Sequence, residues 1–275
     1  MQFRTRIDIE KSPWKVEPAD SMLFLGSCFA DNIGKRFQEE CLDAVVNPSG
    51  VLYNPASIAS SLARWCGGDA AEGFADHRNL LFLTLGTNHV YILNETGEIV
   101  DNCRKRPASL FTERELSIEE CRGYLQQVVD LWTSRGEENR VIITVSPIRY
   151  AKYGYHESQL SKAVLLLAAD AVVRGNERCS YFPAYEIMND ELRDYRFYNP
   201  DMLHPSQQAV EYIWERFADT YFSEQTLSFI AEWQPIKAAL NHRPFDAESE
   251  EYKTFRQDTL TKEKNFYQKY GIQYR

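Results

Sequence analysis

The sequence predicts an α/β sandwich of three layers around a mainly parallel sheet. Three observations carry that prediction. Short, unbroken apolar runs stop at glycine or at Ser-Pro, amphipathic stretches of helical period lie between them, and no repeat, low-complexity tract or Pro/Gly/Ser-rich linker divides the chain. Strands covered on both faces read as continuous hydrophobic runs, and their alternation with helices marks crossover units of a parallel sheet.

Residues 22–25 form the first run and end at Gly26, which predicts a buried strand. Phe29, Ile33 and Phe37 then recur every four residues, predicting a helix over 27–40. A second buried strand is expected at 80–85, stopping at Gly86, and the pair 90–93 and 98–100 around the turn at 94–97 reads as an inserted hairpin. Helical spacing through Tyr124, Val128 and Leu131 covers 119–133. The β-branched run 141–145, closed by Ser146-Pro147, is the third central strand. An apolar helix follows at 160–174, a short fourth strand at 180–182, and a helix at 206–217 with Val210, Ile213, Trp214 and Phe217 on one face. Beyond Phe222 the stretches 223–240 and 248–270 are charged and amphipathic, broken by His242-Arg243-Pro244. The expected organisation is an α/β domain over 1–222 and a helical extension over 223–275 that packs on this domain or on a second copy. The extension carries too few apolar positions to fold separately.

Of the 275 residues, 44% are hydrophobic and 26% charged, with a net charge of −9. Such an acidic balance argues against a nucleic-acid backbone or an anionic membrane surface as partner. The longest apolar run, 163–169, falls far below the roughly 20 residues that span a bilayer. Residues 1–12 are charged and polar, with no apolar segment of a secretory signal, so a cytoplasmic protein is expected. Six cysteines stand without a C-x-x-C pair and read as reduced, mostly buried thiols. No ligand spacing supports structural zinc.

In open parallel sheets ligands gather at the carboxyl ends of the strands. After the first strand stands Gly26-Ser27-Cys28-Phe29-Ala30, after the second Gly86-Thr87-Asn88-His89, and before the late helix Asp201-Met202-Leu203-His204-Pro205. A hydroxyl nucleophile needs a base, and the base works better when a third group fixes its tautomer. Ser27, His204 and Asp201 supply those three types, and D-x-x-H spacing puts the carboxylate one turn from the imidazole. Oxyanion donors are expected from the Ser27 N–H at a helix start, the Gly50 N–H and the Asn88 amide.

Gly26-Ser27-Cys28-Phe29-Ala30 spells the signature of the GSCFA family, which is related to the SGNH (GDSL-type) hydrolases. Asn47–Pro55, Ser146-Pro147-Ile148-Arg149, Ser161-Lys162 and Tyr181–Pro205 also resemble family segments, over about residues 3–217. The resemblance implies a flavodoxin-like SGNH sandwich and ester or acyl-group chemistry. It implies Ser27 as nucleophile, Gly50 and Asn88 as oxyanion donors, the latter in a block where His89 stands in place of aspartate, and Asp201 with His204 as the closing block. No cofactor or metal is implied, and the oligomeric state is left open. By analogy with SGNH relatives, the substrate would be a small-molecule or carbohydrate ester.

Each residue has a plainer reading. Ser27 could be only a helix N-cap, and Cys28 is intrinsically the more nucleophilic neighbour. His204 and Asp201 could only cap a helix. His89 reads as a second base, a substrate contact or an unremarkable exposed side chain. Arg149 could hold an acidic substrate group or pair with a nearby carboxylate. Tyr198, in an aromatic-rich stretch, could stack on a sugar or simply pack. Lys162 is expected as a helix-surface or pocket-rim charge, since adjacent helix positions do not face each other. The rival to an enzyme is a non-catalytic glycan- or ligand-binding module. A metal hydrolase would require His89, His204 and Asp201 to converge.

Overall fold

The first apolar run becomes β1 (Ser21–Gly26), buried along its whole length. It lies beside β2 (Ala44–Val46) on one side and β3 (Asn79–Leu85) on the other, followed by β7 (Arg140–Val145) and β8 (Cys179–Tyr181). The order β2-β1-β3-β7-β8 is parallel throughout, with Leu23 opposite Leu81 and Leu81 opposite Val141. The structure is a computed structural model and describes residues 4–68, 74 and 78–272.

Alternation along the strands divides the core into two faces. Leu23, Leu25, Leu81 and Ile143 pack against α2 (Pro55–Cys66), α3 (Ile118–Ser134) and α4 (Tyr155–Arg174). Met22, Phe24, Phe82 and Ile142 pack against α1 (Cys28–Glu39), with Phe37 at its centre, and α6 (Gln207–Tyr221). Helix on both faces explains why these strands carry no polar alternation. Between them, a helical turn α5 (Ala184–Glu186) runs into a π-helical turn at Ile187–Leu192.

Besides α5 and the π-helical turn, three further elements were not expected: β2, α2, and β6 (Phe111–Glu115), which joins the predicted hairpin. That hairpin, β4 (His89–Leu93) and β5 (Ile99–Val100), therefore belongs to a three-stranded antiparallel sheet ordered β5-β4-β6. The C-terminal helices α7 (Glu224–Leu240) and α8 (Glu250–Tyr270) sit on the α1 side of the same chain. Phe229, Trp233, Ile236 and Phe266 join that core, Trp233 Nε1 donates to Glu39 O at 2.9 Å, and Thr226 Oγ1 donates to Val16 O at 2.6 Å. Among the described residues no helix is long and apolar enough to cross a membrane. All six cysteines are free thiols, with Cys121 and Cys179 buried and the other four half-buried.

Candidate active site

The chain returns across the sheet after β2, so strand connections leave β1 and β3 in opposite directions. The crevice between their carboxyl ends is the switch point where α/β sheets bind ligands. A cavity of about 280 Å³ opens there, lined by Ser27 and Cys28 after β1, Gly86 after β3, Ser146 after β7, and by Tyr53 and His204.

Gly26 makes the turn into this site. Its φ is +138°, and a Cβ there would lie 2.2 Å from Thr84 O, so only glycine lets β1 end this close to β3. Ser27 follows in extended conformation as the N-cap of α1. A serine hydroxyl has one hydrogen to donate and two lone pairs. Ser27 Oγ donates to Ser146 Oγ at 2.9 Å, accepts the Phe29 N–H at 3.2 Å and meets Thr84 Oγ1 at 2.9 Å. Only 2% of the residue is exposed. The expected nucleophile thus lines the cavity with its hydroxyl fully engaged, and no hydrogen bond joins it to His204 among the described residues.

His204 and Asp201 meet as the D-x-x-H spacing expects. His204 Nδ1 lies 2.6 Å from Asp201 Oδ2, while Asp201 Oδ1 accepts the N–H groups of Leu203 at 2.8 Å and His204 at 3.0 Å. Those amides and the imidazole hold the Asp201 carboxyl down at about 2. A bridge between Tyr198 and Pro205 closes the loop, with Asn199 N–H on His204 O at 2.8 Å. Arg149 pins it from outside: its backbone N–H donates to Leu203 O at 3.0 Å and its Nη1 to Met202 O at 3.1 Å. The guanidinium lies over Tyr155, 4.2 Å from the ring centre, and 5.6 Å from that of Tyr198. Arg149 therefore forms no carboxylate pair among the described residues, and Tyr198 packs beside it.

The three expected oxyanion donors are occupied. The Ser27 N–H donates to Thr84 Oγ1 at 2.8 Å, the Gly50 N–H closes a turn on Asn47 O at 2.7 Å, and Asn88 Nδ2 donates to Leu116 O at 2.8 Å. Asn88 is 1% exposed and its amide faces the start of α3, away from the cavity. Gly50 and Asn88 are thus turn and core residues here. The N–H of Cys28, first residue of α1, has no backbone carbonyl acceptor among the described residues and lies beside its own sulfur. Cys28 Sγ stands 4.0 Å from Tyr53 Oη. Burial pushes the Cys28 thiol up, opposed by the Tyr53 hydrogen bond, and burial with the neighbouring sulfur pushes Tyr53 up to about 12.

Two further expectations change. His89 is buried, stacked on Tyr153 at 3.8 Å between ring centres, with its nitrogens 3.9 Å from Glu113 and Glu115 carboxylates. It lines a second cavity of about 410 Å³ under the antiparallel sheet, which shares Tyr53, Tyr150 and Lys152 with the first. Lys162, expected as a helix-surface or pocket-rim charge, is 2% exposed, and its Nζ donates to Gly86 O at 2.8 Å and Ser146 O at 2.9 Å, both residues of the cavity wall. Burial lowers it to about 7. Tyr53, inside the family-like segment 47–55, and Tyr150 and Lys152, just after Arg149, are cavity residues that sequence reasoning did not single out. Among the described residues no three His, Cys, Asp or Glu side chains gather to hold a metal ion, and His89 does not join His204 and Asp201.

The sheet order, the Gly-Ser-Cys turn after the first strand and the His–Asp pair at the same edge define a parallel α/β sandwich with a candidate site at the carboxyl ends of its strands. Within that class the chain belongs to the GSCFA family: the family model matches residues 21–74 and 68–217, and the model of the GSCFA domain protein C-terminal domain matches 233–272. No curated protein matches. Solved structures similar to this chain include a GDSL-like lipase from Bacteroides thetaiotaomicron, 13% identical over 72% of this chain and 86% of that one, with a TM-score of 0.45. A mutant of an acetyl-xylooligosaccharide esterase from Geobacillus Stearmophilus is 14% identical over 77% and 98%, TM-score 0.45. A lipase/acylhydrolase from Enterococcus faecalis is 14% identical over 73% and 93%, TM-score 0.40.

Proposed function

We propose that this chain is an acyl-ester hydrolase or O-acyltransferase whose general base is His204, oriented by Asp201. The observation that carries the reading is the 2.6 Å contact of Asp201 with His204, which stands on the wall of the cavity that also receives the start of α1. A carboxylate bonded to Nδ1 leaves Nε2 as the basic nitrogen and stabilises the imidazolium that forms when it takes a proton. With Asp201 held at about 2, that carboxylate stays ionised wherever the enzyme would work. A cavity of about 280 Å³ suits a short acyl group, being at the small end of ligand sites. The adjoining cavity, with Tyr53, Tyr91, Tyr150 and Tyr153 on its walls, suits a ring-bearing alcohol such as a sugar.

Turnover of p-nitrophenyl acetate by the wild type beside His204→Ala and Asp201→Asn tests the reading. His204→Ala should lose about a thousandfold or more in kcat/KM and Asp201→Asn at least about a hundredfold, with circular dichroism unchanged. Equal turnover in all three proteins would overturn it. The occupied oxyanion donors favour a second reading, a ligand-binding module without turnover. Sugar-ester binding by a wild type inert on esters of several chain lengths would establish that reading instead.

A further inference from the structure

The start of α1 offers two adjacent side chains to the cavity, and the structure treats them differently. Ser27 is locked to β3 through its N–H and hydroxyl, and its one hydroxyl hydrogen goes to Ser146. Reaction at Ser27 Oγ would have to break the N-cap and the Ser146 bond while moving a buried hydroxyl toward an exposed imidazole. Cys28 is the first residue past that anchor. Its half-buried sulfur lies 4.0 Å from the Tyr53 hydroxyl, and its own N–H, which has no backbone carbonyl acceptor among the described residues, stands beside that sulfur at the helix N-terminus. Among the six cysteines, Cys28 alone lines a cavity together with His204 among the described residues.

Resting on the acyl-transfer reading above, we infer that Cys28 is the attacking group and Ser27 the cap that positions it. The thiol reaches neutral pH protonated, since burial raises it, so it requires the base that His204 supplies. His204 takes the thiol proton as sulfur bonds to the ester carbonyl carbon, and the oxyanion faces the Cys28 N–H at the positive end of α1. Collapse breaks the carbon–oxygen bond, and the alcohol leaves with the proton held on His204. Water then gives a proton to His204 while its oxygen bonds to the thioester carbon. The carbon–sulfur bond breaks, sulfur recovers the proton, and the carboxylic acid departs. With an alcohol in place of water the same steps give transfer.

The test combines trapping with variants. Wild type mixed with p-nitrophenyl acetate and quenched in acid should carry one acetyl group on the peptide containing Cys28, removable by neutral hydroxylamine, which cleaves thioesters and spares serine esters. Cys28→Ala should lose turnover about a thousandfold, whereas Ser27→Asn, which keeps a capping oxygen, should stay within about tenfold of wild type. Ser27→Ala should lower Tm and turnover through loss of the cap and should still be acetylated on Cys28. A hydroxylamine-resistant acetyl group on Ser27, with turnover surviving in Cys28→Ala, would overturn the inference and leave the ester reading standing. No acetylation and no turnover in the wild type would overturn both.

Discussion

Lys162 is the buried charge whose placement can be weighed most directly. It is 2% exposed, has two carbonyl oxygens as hydrogen-bond partners and no carboxylate among the described residues, and burial lowers it from 10.5 to about 7. The unfolded chain keeps this proton up to about pH 10.4, while the folded protein releases it near 7. Below 7 both states are protonated and the full cost of burying the charge stands. Between the two values unfolding takes up a proton, so the folded state gains stability as pH rises. Each pH unit in that window carries about 1.36 kcal/mol, which makes the whole window worth about 5 kcal/mol. Lys162→Met keeps the stem and removes the titration. Urea unfolding of both proteins, followed by far-ultraviolet circular dichroism, gives the difference in stability at each pH and cancels every other titrating group. That difference should move in favour of the wild type by about 2–3 kcal/mol from about pH 7.5 to about pH 9.5. A difference that stays flat across the window would refute the reasoning, because it would mean that the folded protein does not depress this lysine.

Two other substitutions test how the site is held. Gly26→Ala places a methyl group 2.2 Å from Thr84 O at a φ of +138° and should cost about 2–4 kcal/mol, a Tm loss of about 5–15 °C. The control Gly50→Ala, with a φ of +87° and no atom within 4 Å, should cost only about 1 kcal/mol. Equal losses by differential scanning calorimetry would show that contact with β3 is not what demands glycine at 26. Arg149→Met removes the Nη1 bond to Met202 O and the contact with Tyr155, so the His204 loop should loosen. On the proposed function, kcat should fall about tenfold while Tm moves by less than about 4 °C, since one exposed hydrogen bond contributes about 1 kcal/mol. An unchanged kcat would remove Arg149 from any part in positioning the base.

The three long central strands were legible because burial on both faces leaves an unmistakable apolar run. β2 is only three residues long, with one of them buried, and β6 reads Phe-Thr-Glu-Arg-Glu, almost wholly exposed, so neither leaves a hydrophobic signal. α2 turns Ser57 and Ser61 into the core, which blurs its amphipathic pattern, although Asn54-Pro55 offered a cap and a first-turn proline. At the site, the His204–Asp201 pair was legible because both partners lie within one turn of chain. The oxyanion donors were not, because a free backbone N–H depends on which carbonyls the fold brings near it. The distinction between Ser27 and Cys28 did have a local signal. Serine is a favoured N-cap, and the residue after a cap is the first one the helix presents.

The arrangement around the cavity depends most on a helix that contributes no reacting atom. Ser158, Ser161 and Lys162 stand at i, i+3 and i+4 on α4, hence on one face, and all three are buried. Ser158 Oγ accepts the Tyr150 N–H at 3.3 Å, and Ser161 Oγ accepts the Asn88 N–H at 3.0 Å and meets Thr87 Oγ1 at 3.1 Å. Lys162 ties Gly86 to Ser146. One polar stripe thus gathers the loops after β3 and β7, and these loops supply Gly86, Ser146, Arg149 and Tyr150 to the cavity wall. Loop backbone at a strand end has no ladder partner, so each buried N–H or carbonyl there needs a side chain to satisfy it. An apolar α4 would pack the sheet equally well and leave those groups unsatisfied. The serines and the lysine on its inward face are therefore required by the cavity and not by the core.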